Sequence, residues 1–154
     1  MSFPMMVRGL LSLTLAASIS ACSRPKGEPP RAAASAEEED EKELFARMTV
    51  DELEAKLAAA RAGQAKIAVF DNNDEARFAK GHIPGARWVK FDAVKAADLP
   101  ADKSTTLVFY CANEYCTACH TGANAAAKLG YKSVFILPAG IKGWEKAKKP
   151  VEPS

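Results

Sequence analysis

Residues 105–111 read TTLVFYC, a run of β-branched and aromatic residues that ends at a cysteine. Such a run is typical of a buried strand, because these side chains pack well on a pleated surface. Other apolar runs predict three more strands, at residues 67–70, 85–89 and 133–137. Segments with helical spacing lie around them, at residues 50–60, 74–80, 123–129 and 141–148. Strands that alternate with helices predict an α/β fold, an open parallel sheet with helices on both faces.

The composition of the 154-residue chain excludes several classes of protein. Hydrophobic residues make up 48% and charged residues 26%, which indicates a globular domain rather than a collagen-like or wholly disordered chain. No apolar run reaches the roughly 18 residues of a membrane-spanning helix, which excludes a polytopic membrane protein. A net charge of only +2 gives no reason to expect a nucleic-acid partner.

The first 21 residues have the pattern of a secretory signal peptide. One positive charge, Arg8, precedes an apolar stretch at residues 9–20 that is too short to span a membrane. The stretch ends in Ile-Ser-Ala-Cys, which resembles the lipobox of bacterial lipoproteins. The resemblance implies cleavage before Cys22 and acylation of its thiol. Ser23, in place of an Asp, implies an outer-membrane anchor that faces the periplasm. Ordinary cleavage after Ala21, with Cys22 a free thiol, is the alternative.

Residues 22–43 are predicted to be a disordered linker. They carry three prolines and an acidic run, with almost no bulky apolar side chain. Such a segment cannot bury enough surface to offset the entropy lost on ordering. The chain is therefore predicted to hold one folded domain, at residues 44–154, on a lipid-anchored tether.

Three stretches of the domain resemble the single-domain rhodanese (sulfurtransferase) family. They are GHIPGA at residues 81–86, LVFYC at residues 107–111, and LGY at residues 129–131 followed by AGIKGW at residues 139–144. Their order holds over about residues 48–149, nearly the whole domain. The resemblance implies the rhodanese-like fold with Cys111 as the catalytic residue. It also implies transfer of sulfane sulfur from a small donor to a thiol or cyanide-type acceptor, through a persulfide and without a cofactor or metal.

The position of Cys111 agrees with that chemistry. Directly after a buried strand and before a helix, a cysteine can be surrounded by backbone N–H groups, which favour an anion. We expect this environment to lower the pKa of Cys111 below that of a free thiol, and to do so less for Cys116 and Cys119. A thiolate at this place can attack a sulfur donor and hold the outer sulfur as a persulfide.

The predicted active-site loop departs from the family pattern. After Cys111 it contains Ala112, Asn113, Glu114, Tyr115, Cys116, Thr117 and Ala118. No Lys or Arg occurs before Lys128, and Cys116 stands where the family has a closing Arg or another polar residue. Thiosulfate is therefore not the expected natural donor. A family ion pair is also absent, because Asn73 stands two residues after Asp71, so Asp71 is predicted to be a turn or cap residue. His82 is predicted to bond a nearby backbone or carboxylate group rather than to act as a base.

The extra cysteines leave other functions open. Cys116 and Cys119 form a C-x-x-C, which in an oxidising compartment could exchange thiols and disulfides or resolve a Cys111 persulfide. With His120 the motif becomes C-x-x-C-H, the attachment pattern of c-type haem. Zinc held by these three residues and Cys111 is a further alternative, although adjacent Cys119 and His120 suit one tetrahedral ion poorly. A rhodanese fold that only binds a protein partner, which the sequence does not identify, is the last alternative.

The lipobox makes the first testable prediction. In a bacterium fed labelled palmitate, the wild-type chain should carry the label and Cys22→Ser should not, since the acylated thiol is then missing. A wild-type protein that remains unlabelled and soluble in the periplasm would contradict the lipoprotein assignment.

Overall fold

The computed structural model describes residues 43–154. The predicted signal peptide, Cys22 and nearly all of the predicted linker lie outside the described residues, and the domain boundary at residue 44 stays a prediction. The described part contains five strands and four α-helices. The strands are β1 (Ala46–Arg47), β2 (Ile67–Asp71), β3 (Arg87–Trp88), β4 (Thr106–Tyr110) and β5 (Val134–Leu137). The helices are α1 (Val50–Arg61), α2 (Glu75–Lys80), α3 (Ala118–Lys128) and α4 (Gly140–Lys146).

The strands form one parallel sheet in the order β1-β5-β4-β2-β3. Strand β4 lies at its centre, where β2 and β5 pair with it on either side. Because all strands point the same way, their carboxyl ends meet at one edge, the usual place for a ligand in open α/β sheets. The predicted α/β fold with a parallel sheet is confirmed.

Alternate side chains of the central strands enter two separate cores. Phe109 packs with Phe70 and with Ala123 of α3 on one face of the sheet. Val108 packs with Leu53 of α1 and Trp144 of α4 on the other face. This alternation follows from the two-residue repeat of a strand. A strand buried on both faces must be apolar throughout, which explains the TLVFY sequence of β4.

The helix starts show how the sequence sets local structure. Thr49 caps α1 by accepting the N–H of Glu52, whose carboxylate accepts the N–H of Thr49 in return, a capping box that the sequence predicts. Asp74 caps α2 because its side chain accepts the N–H of Arg77. None of the helices within residues 43–154 is long and apolar enough to cross a membrane.

Helix α3 departs from the prediction at the place that matters most for function. It begins at Ala118, five residues before the predicted start at residue 123, so Cys119 and His120 lie on the helix and not in a loop. Gly122, a poor helix former, obscured this extension in the sequence. In the fold a Cβ at Gly122 would come within 2.7 Å of the Asn72 side-chain oxygen, so close packing explains the glycine.

Candidate active site

Cys111 lies at the carboxyl end of the central strand. It follows Tyr110, whose neighbours in the sheet are Asp71 of β2 and Leu137 of β5. Helices α3 and α4 both begin beside it. The sequence therefore placed Cys111 correctly, at the point where the sheet edge and two helix starts converge.

The backbone after β4 is held by the start of α4. The N–H of Ile141 donates to the Cys111 carbonyl at 2.9 Å, and the N–H of Lys142 donates to the Ala112 carbonyl at 3.1 Å. This approach requires a glycine at position 140. Gly140 has a φ of +59°, and a Cβ there would lie 2.5 Å from the Cys111 carbonyl oxygen.

The Cys111 thiol faces inward, towards α3. Its Sγ lies 3.4 Å from the Sγ of Cys119 and 3.1 Å from the Cys116 carbonyl oxygen, to either of which the S–H can donate. Cys111 and Cys119 are each only 1% exposed, whereas Cys116 is partly exposed. All three thiols are reduced in this structure. Cys111 and Cys119 thus form a buried sulfur pair that is not the C-x-x-C pair suggested by the sequence, and the Cys116 thiol also hydrogen-bonds with Cys111.

The pKa ranking of the three thiols differs from the prediction. The pKa of Cys111 is raised, first because its S–H donates to Cys119 and then because it is buried. The pKa of Cys119 is lowered, chiefly because its thiolate accepts that hydrogen bond, and further by the N–H groups of Cys119 and His120 at the start of α3. The expectation of a lowered pKa at Cys111 is therefore wrong. Ionisation of the pair is therefore favoured at Cys119, chiefly because the S–H of Cys111 donates to it.

The loop N–H groups do not form the predicted nest around Cys111 alone. Those of Ala112 and Ala118 are directed at Cys116, although burial and the Cys111 thiol raise the pKa of Cys116 overall. Tyr115, at the tip of the loop, is 85% exposed. Cys116 thus forms the outer side of the thiol cluster, while Cys111 and Cys119 form its interior.

Two lysines that the sequence argument missed lie beside the loop. Lys142 and Lys146 of α4 border a shallow cleft, which the loop residues Asn113, Glu114 and Tyr115 line from the other side. The two lysines are four residues apart and so share one face of the helix. Their signal was hidden because they follow the loop by nearly thirty positions in sequence. The cleft therefore has positive charge that offsets Glu114, although the loop itself has none.

Two predictions about neighbouring polar residues are confirmed. One carboxylate oxygen of Asp71 accepts both the backbone N–H and the side-chain N–H of Asn73, each at 2.7 Å, which closes a turn. The neutral amide thus takes the place that the family gives to an arginine. The Nδ1 atom of His82 lies 3.1 Å from the Phe78 carbonyl oxygen, and the ring is buried against the Phe78 ring.

The residues of the C-x-x-C-H stretch do not fit a c-type haem. Cys119 is buried and faces Cys111, so its thiol is not presented for attachment. The Nδ1 atom of His120 lies 3.1 Å from the Glu43 carboxylate, with the Phe45 ring edge-on to the imidazole. Within residues 43–154, no three His, Cys, Asp or Glu side chains are placed to hold a metal ion.

This fold and site match a known family of proteins. A family model for the rhodanese-like domain matches residues 49–147 of the chain. The chain belongs to the rhodanese-like family. Family membership agrees with the cysteine after the central strand and with the contact between that cysteine and the start of α4.

Several solved structures are similar to this rhodanese-like domain. A Bacillus halodurans protein is 25% identical, with a TM-score of 0.62 over 73% of this chain and 80% of that one. A rhodanese-like domain from Anabaena is 23% identical, with a TM-score of 0.58 over 70% and 79% of the two chains. A thiosulfate sulfurtransferase from Pseudomonas aeruginosa is 24% identical, with a TM-score of 0.53 over 71% of this chain but only 20% of that one. No functionally curated protein matches the sequence.

Gly140 makes a prediction about how the rhodanese-like site is built. Gly140→Ala should unfold at lower denaturant than Gly63→Ala, because both glycines have positive φ but only Gly140 has backbone atoms in the way of a Cβ. The left-handed backbone alone costs about 1–2 kcal/mol, and we expect Gly140→Ala to lose at least about 1 kcal/mol more. If the two variants lose the same free energy of unfolding in urea, the start of α4 does not pack closely against the Cys111 backbone.

The thiol pair makes a prediction about pH. A group with a lowered pKa is charged above that pKa and loses its charge as the pH falls through it. The wild-type domain should thus show one thiolate, by ultraviolet absorbance, at a pH below the value of about 8.5 of a free thiol. Cys119→Ser should lose this early thiolate, whereas Cys116→Ser should keep it. An early thiolate that survives in Cys119→Ser would contradict the charge placement.

Proposed function

We propose that the chain is a sulfurtransferase that carries sulfane sulfur as a persulfide on Cys111. The observation that carries the proposal is the Cys111 thiol at the end of the central strand, 3.4 Å from a sulfur that can take its proton. Membership of the rhodanese-like family supports the same position for the reacting sulfur.

The first half-reaction forms the persulfide. As the Cys111 sulfur attacks the outer sulfur of the donor, its proton passes along the S–H···S hydrogen bond to the Cys119 thiolate. The sulfur–sulfur bond of the donor breaks, and the remainder of the donor leaves with the electron pair. Cys119 thus compensates for the raised pKa of Cys111, because it makes deprotonation and attack a single concerted event.

The second half-reaction passes the sulfur on. A thiolate or cyanide acceptor attacks the outer persulfide sulfur, and Cys111 leaves as a thiolate that recovers the proton from Cys119. Free enzyme is regenerated without any other reactant. This is ping-pong catalysis, in which the two substrates use the site in turn.

The charges around the loop bear on the donor. Lys142 and Lys146 lie across the cleft from Glu114, so an anionic donor meets both signs of charge at the entrance. A small donor with less negative charge than the thiosulfate dianion, such as a short polysulfide monoanion or an organic persulfide, suits this mixture better than thiosulfate, which needs a dense cationic site.

The predicted lipid anchor would set where this reaction takes place. If Cys22 is acylated, the linker lets the domain reach soluble donors and acceptors in the periplasm while it stays on the outer membrane. We propose this location on the strength of the lipobox sequence. The sulfur acceptor is then a small thiol or an exported protein thiol.

Substitution of each cysteine tests the proposal. Cys111→Ser should lose persulfide formation and sulfur transfer to cyanide entirely, because the carrier atom is gone. Cys116→Ser should keep single-turnover persulfide formation, since its thiol is not the carrier. Alkylation of the persulfide and mass spectrometry measure both. Sulfur uptake by Cys111→Ser would move the carrier to another cysteine, and no uptake by the wild type would favour a binding module.

A further inference from the structure

The buried sulfur pair permits a second reaction at the same site. Cys111 and Cys119 are held on two rigid elements, the end of β4 and the first turn of α3, with their Sγ atoms 3.4 Å apart. That separation is within the range of a near-attack contact, about 3–3.5 Å. A disulfide bond is about 2.05 Å long, so a relative shift of roughly 1.4 Å would join the two sulfurs.

Cys116 is less well placed for the same role, although its thiol also hydrogen-bonds with Cys111. It is partly exposed on the outer side of the cluster, and its carbonyl oxygen accepts from Cys111 at 3.1 Å and lies 3.9 Å from the Cys119 sulfur. Its pKa is raised, whereas that of Cys119 is lowered. The backbone N–H groups that stabilise the Cys119 thiolate belong to α3 itself, so they remain after Cys111 has become a persulfide.

We propose that Cys119 is the resolving thiol of a Cys111 persulfide, so that the site reduces sulfane sulfur to sulfide when no acceptor reaches the outer sulfur. This inference rests on the proposed sulfurtransferase function and adds a second outcome to it. It assigns a redox pair, Cys111 with Cys119, that differs from the C-x-x-C pair of the sequence.

The proposed step balances in atoms and electrons. The Cys119 sulfur, which holds the proton taken up from Cys111, attacks the inner sulfur of the persulfide, the Cys111 Sγ that lies beside it, and its proton passes to the outer sulfur. The bond between the inner and outer sulfurs breaks, and the outer sulfur leaves with the electron pair as hydrosulfide. The two cysteines are oxidised to a disulfide while the sulfane sulfur is reduced. The cycle then needs a dithiol reductant, of the kind that thioredoxin-like proteins supply, to restore both thiols.

The two outcomes differ in which sulfur is attacked. An external acceptor attacks the outer sulfur from the loop side and carries that sulfur away, whereas Cys119 attacks the inner sulfur from within the core and releases the outer one. Acceptor concentration therefore decides between transfer and reduction. A site with Cys119 would transfer sulfur in the presence of acceptor and release sulfide in its absence.

The test follows the fate of a persulfide already formed. The full chain, carrying Cys22→Ser to remove an unrelated thiol, is reduced, loaded with inorganic polysulfide and passed through a desalting column. Intact mass and released sulfide are then followed in time. The parent should first gain one sulfur, then lose it with release of one sulfide per chain, and end two hydrogens lighter than the reduced protein.

Two matched variants identify the resolving thiol. Cys119→Ser lacks the proton acceptor of the first half-reaction and is therefore loaded for longer, until its mass shows one added sulfur. Its persulfide should then persist about tenfold longer or more than that of the parent, because an intramolecular nucleophile has been removed. In Cys116→Ser the persulfide should decay as in the parent. A stable persulfide in the parent, or one that persists in Cys116→Ser and decays in Cys119→Ser, would overturn the proposal.

A separate measurement distinguishes this inference from the proposed function. Reduced, unloaded parent is oxidised with diamide, and the disulfide is located by peptide mapping. A Cys111–Cys119 link is expected, and a Cys116–Cys119 or Cys111–Cys116 link as the main product would overturn the inference while leaving sulfur transfer intact. Failure to load any persulfide would overturn the proposed function, and with it the sulfide release.

Discussion

The S–H···S hydrogen bond between Cys111 and Cys119 is the interaction on which the chemistry of this site depends. Buried thiols resist ionisation because a thiolate loses its hydration. Here the lost hydration is partly replaced, since Cys111 keeps its proton and donates a hydrogen bond to the Cys119 sulfur. The pKa of Cys119 is lowered chiefly because it accepts the S–H of Cys111, and the N–H groups of Cys119 and His120 at the start of α3 add to this effect. The proposed sulfur carrier, Cys111, and the thiol with the lowered pKa, Cys119, are therefore different residues.

The packing of the sheet and of two helices holds the Cys111 and Cys119 sulfurs close together. Strand β4 is the centre of a parallel sheet with a core on each face, so Cys111 has little freedom. The start of α4 holds the Cys111 and Ala112 carbonyls from one side, and this contact needs Gly140. Gly122 lets α3 pack closely against Asn72 from the other face. Two glycines thus allow two helix starts to approach one strand end.

The absence of a cationic residue in the loop gives the site its particular character. A site that closes with an arginine stabilises an anionic donor and the persulfide by direct charge. The sequence comparison predicts Cys116 at that position, and Lys142 and Lys146 of α4 place positive charge at the edge of the cleft. The negative charge at this site is therefore stabilised by the S–H of Cys111 and by N–H groups at the start of α3, and not by a cationic residue of the loop. In the proposed mechanism, this exchange is the reason why reduction of sulfane sulfur would compete with its transfer.

The sequence by itself determined the alternation of strands and helices, the parallel sheet and the position of Cys111 at a strand end. Those features depend on side-chain periodicity and on short motifs, both of which are local in sequence. It did not determine that α3 begins at Ala118, that the Cys119 and Cys111 sulfurs lie 3.4 Å apart, or that Lys142 and Lys146 approach the loop. Each of these depends on how helices pack against the sheet. A thiol's pKa likewise depends on which groups surround it in space, so only the tertiary structure could reverse the expected order of Cys111 and Cys119.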